Sequence, residues 1–365
     1  MAITILHAPE ELSTVGNPIA YRVATDNVAV KYIMLRLSVE SAYGTLEFQK
    51  IIEKESPPDE DRESVFYIEK NLEACLTPEA PDFASTEMSK ATQLCKRYKV
   101  AFAELTENDR PDTALFVEQP VRFAILAKIP FEKFALSKIL TASNILTTKD
   151  TTRRLFLPQL EYITILAPSN AYSIDAIFAI YYQDSSIQII NQSFGELQKF
   201  EIAFVPVGIS QRSYPNPSQI ERVEITVAGT TLIYSAVEPS DLYAPIEFYY
   251  LAQNSALESL ICDGDSETAL DIERTDSEHF VPYNYDPKFQ QFRQAQITGR
   301  IGGTADTGYM PLSEHRAASQ ILYSRLIFMR KNEDIMPVVV SKKQVPLDKA
   351  SERIKSLKID YIAAF

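Results

Sequence analysis

The stretch Ile246–Asp265, IEFYYLAQNSALESLICDGD, decides the fold class. Its first run alternates Ile246, Phe248, Tyr250 and Ala252 against Glu247, Tyr249 and Leu251, which is the period of a β-strand. Gln253-Asn254-Ser255 interrupts the run with turn residues, and Asn254 is expected to take the left-handed backbone there. Leu257–Cys262 alternates again, and Asp263-Gly264 is a second turn signal. The expected element is a hairpin followed by a third strand over Glu267–Glu273, with Asn254 and Glu258 as structural residues of the hairpin. It places no catalytic group.

The same pattern extends on both sides. Upstream, Leu160–Leu166, Ile174–Tyr182, Ile187–Ile190, Phe200–Pro206, Ile220–Val227 and Thr231–Val237 read as strands, with turns at Pro168-Ser169-Asn170, Gly208 and Ala228-Gly229. Nearer the N-terminus, Tyr21–Val23, Lys31–Val39, Thr45–Ile52, Val65–Ile68 and Arg97–Ala103 are strand candidates, and Glu69–Leu76 suits one or two helical turns. The charged, proline-bearing run Glu53–Glu63 between them reads as a loop. Val121–Lys128 is apolar enough for a strand, and Phe131–Leu140 has helical spacing.

The C-terminal part is mixed. Phe289–Ile301 looks like a long strand ending at Gly302-Gly303, and Ser313 is placed to cap a helix running to about Tyr323. Leu326–Met329 and Pro337–Val340 flank an Asn332–Asp334 turn, Asp348 is placed to cap a short helix carrying Ile354, and Leu357–Ile362 closes the chain as a strand. The expected fold is mainly β: tandem antiparallel β-sandwich domains with a small α+β C-terminal module. The division expected is a sandwich over residues 1–112, a connection over 113–144, a second sandwich over 145–274 and the closing module over 275–365.

Composition narrows the function classes. At 365 residues with 45% hydrophobic residues, the chain has material for two or three cores and is not disordered. A net charge of −13 leaves no basic surplus for phosphate backbones or anionic membranes, so neither nucleic acid nor membrane is an expected partner. The three cysteines, Cys75, Cys95 and Cys262, follow neither a disulfide framework nor a zinc pattern. No apolar run approaches a membrane span, and the first residues lack the basic start of a signal peptide. A reducing cytoplasm is the expected place of synthesis.

Motif by motif, the chemistry does not assemble. Gly303-Thr304-Ala305-Asp306-Thr307-Gly308 has the glycine spacing of a phosphate loop, but Tyr309-Met310 stands where Lys and Ser or Thr are required. Asp263, Asp265 and Glu267 alternate like the start of a calcium loop, with the glycine misplaced and no bidentate Glu at the required distance. The acidic segment Glu258–Glu278 reads as a solvated face, with contact to a basic partner as the alternative. His7, His279 and His315 sit in no hydrolase or zincin motif, Gly208–Arg212 lacks the second glycine of a nucleophile elbow, and Cys262 packs as a small apolar residue. Asn191-Gln192-Ser193 meets the glycosylation pattern, without meaning in a chain expected to stay in the cytoplasm. No catalytic, cofactor-binding or metal-ligating residue is therefore expected, and no cofactor.

Four places carry a family likeness: Gly16-Asn17-Pro18-Ile19-Ala20-Tyr21; Lys96–Glu104, KRYKVAFAE; Phe248, Asn254, Ser255, Glu258, Gly264 and Asp265 of the hairpin; and Thr307-Gly308-Tyr309 with Tyr323–Phe328 and Pro337–Val340. In order and spacing the chain resembles bacteriophage and prophage tail proteins of the Bacteroidetes-phage type, similar to distal-tail or baseplate-hub components. Two departures stand out. The family's glycine before the glutamate is Ala103 here, and its double glycine between Asn254 and Glu258 is missing. The resemblance implies a non-enzymatic virion structural protein, part of a tail or baseplate ring, with other tail or baseplate proteins and further copies of itself as partners. Ile174–Tyr182 and Ile246–Ala252, with little charge, are candidate partner strands. The alternative is a carbohydrate- or receptor-binding module, in which Tyr181, Tyr182, Tyr243, Tyr249 and Tyr250 would form a stacking platform.

Overall fold

Alternation becomes sheet wherever one face of a strand can be covered. The structure, a computed structural model, describes residues 3–106, 115–128, 144–212, 214–238, 244–278, 292–341 and 354–364. The molecule is mainly β, with several antiparallel sheets and a small helical piece near the C-terminus. It divides into two compact units: Met1–Glu238 with Leu251–Glu258 and Ser324–Leu326, and Pro239–Tyr250 with Ser259–Tyr323 and Ile327–Phe365.

The first unit holds two sandwiches. In the N-terminal one, Ile3–His7, Ala20–Thr25 and Glu63–Tyr67 form a three-stranded sheet. Facing it is a sheet of Leu12–Thr14, Arg122–Ile125, Cys95–Thr106, Val30–Glu40 and Phe48–Ser56, with Val117–Glu118 on Cys95–Thr106. Tyr21 and Phe66 meet Phe102 with ring centroids 5.6 and 5.8 Å apart, so the inward positions of both sheets close one core. Arg122–Ile125 lies inside the segment expected to be a connection, yet it pairs with Cys95–Thr106 and runs parallel to Leu12–Thr14. The helical spacing over Phe131–Leu140 falls outside the described residues.

In the second sandwich, Ile145–Leu146, Tyr162–Leu166, Ile202–Pro206 and Ser89–Ala91 make a four-stranded sheet. Thr152–Phe156, Thr230–Val237, Ile220–Val227, Tyr172–Tyr182 and Ile187–Leu197 make a five-stranded one. Ile163, Ile165 and Val205 from the first sheet pack with Phe178, Ile180, Val223 and Ile225 from the second. Ser89–Ala91 comes from the N-terminal segment, so the two sandwiches are joined through backbone pairing.

Most of the second unit's strands belong to the seven-stranded sheet Leu257–Cys262, Ile246–Leu251, Ile327–Lys331, Asp334–Val340, Lys358–Ala363, Phe292–Asp306 and Ser266–Glu278, in that order. The third strand of the opening stretch therefore pairs with Phe292–Asp306 along this sheet and belongs to neither sandwich. Phe292–Asp306 does not stop at Gly302-Gly303 but runs through both. A Cβ on Gly303 would collide with the Glu267 carbonyl, and one on Gly302 would sit 2.8 Å from the Tyr361 carbonyl oxygen. The glycines here admit close strands; they do not end one.

The helix Leu312–Ala318 continues as a 3-10 turn over Ser319–Tyr323. Pro311 occupies its N-cap with no side-chain bond, so Ser313 lies within the helix and caps nothing. Asp348 falls outside the described residues, while Ile354, expected on a helix, lies on the strand Ile354–Lys355, paired with Met310–Pro311. Both strands singled out as candidate partner surfaces are internal. Tyr172–Tyr182 lies between Ile187–Leu197 and Ile220–Val227, and Ile246–Leu251 between Leu257–Cys262 and Ile327–Lys331.

Candidate functional site

The turn of the opening hairpin is tighter in its requirements than its sequence suggests. The left-handed residue is Ser255, at φ 66°, and not Asn254. Asn254 acts one step earlier, its Oδ1 accepting the Ala256 amide at 3.2 Å. Ser255 is wholly buried, and its hydroxyl donates to the Leu126 carbonyl. An interior hydroxyl with a fixed acceptor outweighs the steric cost of left-handed backbone at a non-glycine residue.

Three residues on, Glu258 is 3% exposed and opens a polar cluster inside the first unit, which corrects its reading as part of a solvated acidic face. Its Oε1 accepts the Thr148 amide at 2.7 Å and the Thr147 hydroxyl at 2.7 Å. Lys149 Nζ lies 3.5 Å from Glu258 Oε2 and 3.9 Å from Glu161 Oε1. Arg153 completes the group. Its guanidinium donates to Thr147 Oγ1 at 2.7 Å and to the Asp150 carbonyl at 2.8 Å, and it lies 3.5 Å from Glu161 Oε1. Burial pushes the Glu258 carboxyl up, but Lys149, Arg153 and the Thr148 and Thr147 bonds outweigh that and hold it below the usual carboxylate range. Burial likewise opposes the Arg153 charge, and Tyr234, Glu258 and Glu161 more than compensate, so the guanidinium stays protonated. The Tyr234 hydroxyl, 3.4 Å from Arg153, is driven up by burial and stays neutral.

Below Glu161 the cluster continues through neutral amides. Gln211 Oε1 accepts the amides of Glu161 at 3.0 Å and Gly208 at 2.9 Å, and Gln159 Oε1 accepts Phe156 at 3.1 Å. Glu161 and Glu258 face Arg153 and Lys149, so the charges neutralise one another out of water. Such an arrangement ties together backbone segments that lie far apart in the sequence. Sequence reasoning singled out Glu258 but missed its partners. One signal was available: in Thr152–Phe156 the buried positions are Arg153, Leu155 and Phe156, so Arg153 shares the inward parity of Leu155.

The other singled-out residues do not converge on this cluster. Ser210 donates to the Pro158 and Gln159 carbonyls at 3.2 and 3.3 Å, which makes it a tie across the chain. In the Gly303–Gly308 segment the Thr307 amide bonds the Leu357 carbonyl at 3.0 Å and the Gly308 amide bonds Asp306 Oδ1 at 2.9 Å, so these donors are already taken. Asp263-Gly264 is a turn held by the Gly264 amide on the Asp306 carbonyl at 2.9 Å. Among the described residues, no group of three or more His, Cys, Asp or Glu side chains is placed to hold a metal ion. Cys262 is fully buried, and burial, with Asp306 and Asp263 adding, pushes its thiol well up. His315 is buried in its helix, His7 ends the strand Ile3–His7, and His279 lies outside the described residues.

The tyrosines divide in the same way. Tyr249 and Tyr250 are wholly buried; Tyr249 donates to Glu247, which also pairs with Arg330 at 3.1 Å, and Tyr250 donates to the Ala317 carbonyl at 3.2 Å. Tyr182 is buried, Tyr181 lies under the Arg222 guanidinium at 4.1 Å, and Tyr243 is outside the described residues. The hairpin tyrosines serve a core and offer no exposed ring.

No protein-family model matches the chain, and no curated protein matches it. Among solved structures it is similar to the calcium-binding domain CBD12 of CALX1.1, at 10% identity and a TM-score of 0.18 over 62% of this chain and 79% of that one. It is also similar to a marsupial T cell receptor, at 8% identity and a TM-score of 0.21 over 83% of this chain and 96% of that one. At these scores neither likeness bears on what the chain binds or does. No helix among the described residues is long and apolar enough to cross a membrane.

Proposed function

We propose that this chain is a non-enzymatic structural protein of a bacteriophage tail or baseplate, assembled in the host bacterial cytoplasm. In this reading it forms a closed, six-fold ring of copies in contact with other tail or baseplate proteins. The observation that carries the reading is the ordered series of family-like stretches along the chain, from Gly16–Tyr21 through Lys96–Glu104 and Phe248–Asp265 to Thr307–Tyr309 and Pro337–Val340.

The role each stretch plays in the fold supports it. Gly16 is where the backbone passes Ala127 and Lys128, its amide bonding the Ala127 carbonyl at 2.9 Å and a Cβ there colliding with Lys128. Lys96–Glu104 lies within the strand Cys95–Thr106, which pairs along Val30–Glu40. The hairpin stretch supplies Ser255 and Glu258, whose polar atoms are spent inside the molecule.

Peptide mapping of purified phage particles, with the neighbouring genes read for a tape-measure protein, tests the proposal. Peptides of this chain in the tail fraction are the expected result. A chain absent from particles, with binding on a glycan array, would move the assignment to a carbohydrate- or receptor-binding module.

A further inference from the structure

The long sheet edges of this molecule are protected unequally. Phe48–Ser56 ends its sheet and carries Lys50, Glu53, Lys54 and Glu55. Ser266–Glu278 ends the seven-stranded sheet and carries Glu267, Asp271, Glu273, Arg274, Asp276 and Glu278. Charges at this density blunt an edge against pairing with another chain.

Ile187–Leu197 has no such protection. It ends the five-stranded sheet, pairs on one side with Tyr172–Tyr182, and has no described strand on the other. Over IQIINQSFGEL the single charged residue is Glu196, near the end where the register shifts beside Gly195. Lys90 already donates to the Glu196 carbonyl at 3.0 Å, so the open part is Ile187–Ser193. In register, Ile187 lies opposite Tyr181, Ile189 opposite Ala179 and Asn191 opposite Ile177, which puts all six on one face, away from the Phe178 and Ile180 core. On that face Ile187, Ile189 and Ile177 are 58%, 66% and 46% exposed. An open row of backbone donors and acceptors thus runs beside a strip of exposed isoleucine.

We propose that Ile187–Ser193, the open part of this edge, is a strand-addition surface whose occupant is the same strand of a second copy of this chain, paired antiparallel about a two-fold axis. An antiparallel strand is complementary to itself: each copy supplies the donors and acceptors the other lacks, and the isoleucine strips fall on the same face of the joined sheet. Charge selects the occupant. Copies carrying −13 each repel, and this nearly uncharged strip is where two of them can approach without like charges meeting at contact. A basic partner would gain nothing there. The inference rests on the sheet edge and does not depend on the tail reading.

Sedimentation velocity in high salt over a concentration series tests it, with Ile189→Lys as the disrupting variant. Wild type is expected to pass from monomer to dimer as concentration rises, and Ile189→Lys to weaken that association by about tenfold or more. Ile51→Lys, an equal change on the charged edge Phe48–Ser56, is expected to dimerise like wild type. Both lysines make the chain less negative, so a general charge effect would strengthen association in both. If Ile189→Lys lowers the urea midpoint, Asn191→Lys, exposed on the same face, replaces it. A wild type that stays monomeric, an Ile189→Lys variant that associates normally, or an Ile51→Lys variant weakened equally would each overturn the proposal. Dimers lost in Ile189→Lys from a chain absent from particles would keep it and remove the tail reading; a chain found in particle rings whose wild type stays monomeric in sedimentation would do the reverse.

Discussion

Glu258 shows how much one side chain can be asked to hold. Its carboxylate takes the Thr148 amide and Thr147 hydroxyl and lies 3.5 Å from Lys149, so Glu258→Gln would remove one of the two carboxylate charges that face Lys149 and Arg153. Breaking a buried pair from one side costs about 3 kcal/mol, and urea unfolding at neutral pH should show a loss of that size. The sign of its pH dependence follows from the lowered carboxyl pKa. The stabilisation is fully present above the unfolded-state carboxylate range and disappears as pH falls through the folded value, so the gap between wild type and variant should close in acid. A gap unchanged between neutral and acid pH would mean that the charge on Glu258 is not what stabilises. Ser255 gives a second test. Ser255→Val removes a buried donor and puts a β-branched residue at φ 66°, for a loss of about 2–4 kcal/mol, whereas Asn254→Val removes one amide bond at ordinary φ and should cost about 1 kcal/mol. Equal losses in the two would refute the assignment of the strained position.

At the scale of the element, a glycine pair was read as a stop and is a crossing. Gly303→Ala would drive a methyl into the Glu267 carbonyl, so thermal unfolding should register a loss of about 2–3 kcal/mol or more. Gly299, on the same strand, has only Leu270 Cδ1 at 3.5 Å, and Gly299→Ala should be neutral or stabilise by about 0.5 kcal/mol. The contrast explains what was legible. Strands such as Lys31–Val39 and Ile220–Val227 were visible because a period of two reports one covered face, and that is a local property. Which strands share a sheet is not local: Ser89–Ala91 joins Ile202–Pro206 across more than a hundred residues, and Tyr172–Tyr182 is internal though nothing in its composition says so. Ile246–Leu251 alternates in sequence but is buried on both faces, since Glu247 is neutralised by Arg330 and Tyr249 donates to it. The cluster around Glu258 was hidden for the same reason. Its carboxylate lies at residue 258 and its cations at 149 and 153, and only the fold brings them together.

For the whole molecule, charge and sheet edges pull in opposite directions. The net charge of −13 repels copies at long range, while the edge Ile187–Leu197 attracts at contact. Screening weakens only the first of these, because the Debye length falls from about 30 Å at 0.01 M to about 3 Å at 1 M salt. Self-association, whether as strand-paired dimers or as the ring proposed for a tail, should therefore strengthen as salt rises. Native mass spectrometry and negative-stain imaging across a salt series measure this directly, and assembly that weakens with salt would show that ion pairs between copies dominate instead. A bridging metal ion is the competing source of assembly in an acidic chain, and it makes a different prediction. Contacts made by backbone pairing and isoleucine need no cation, so EDTA should leave both the oligomer distribution and the unfolding midpoint where they were. A midpoint that drops by many degrees with EDTA and returns with Ca²⁺ would place a metal among the acids of this chain and overturn that account of its cohesion.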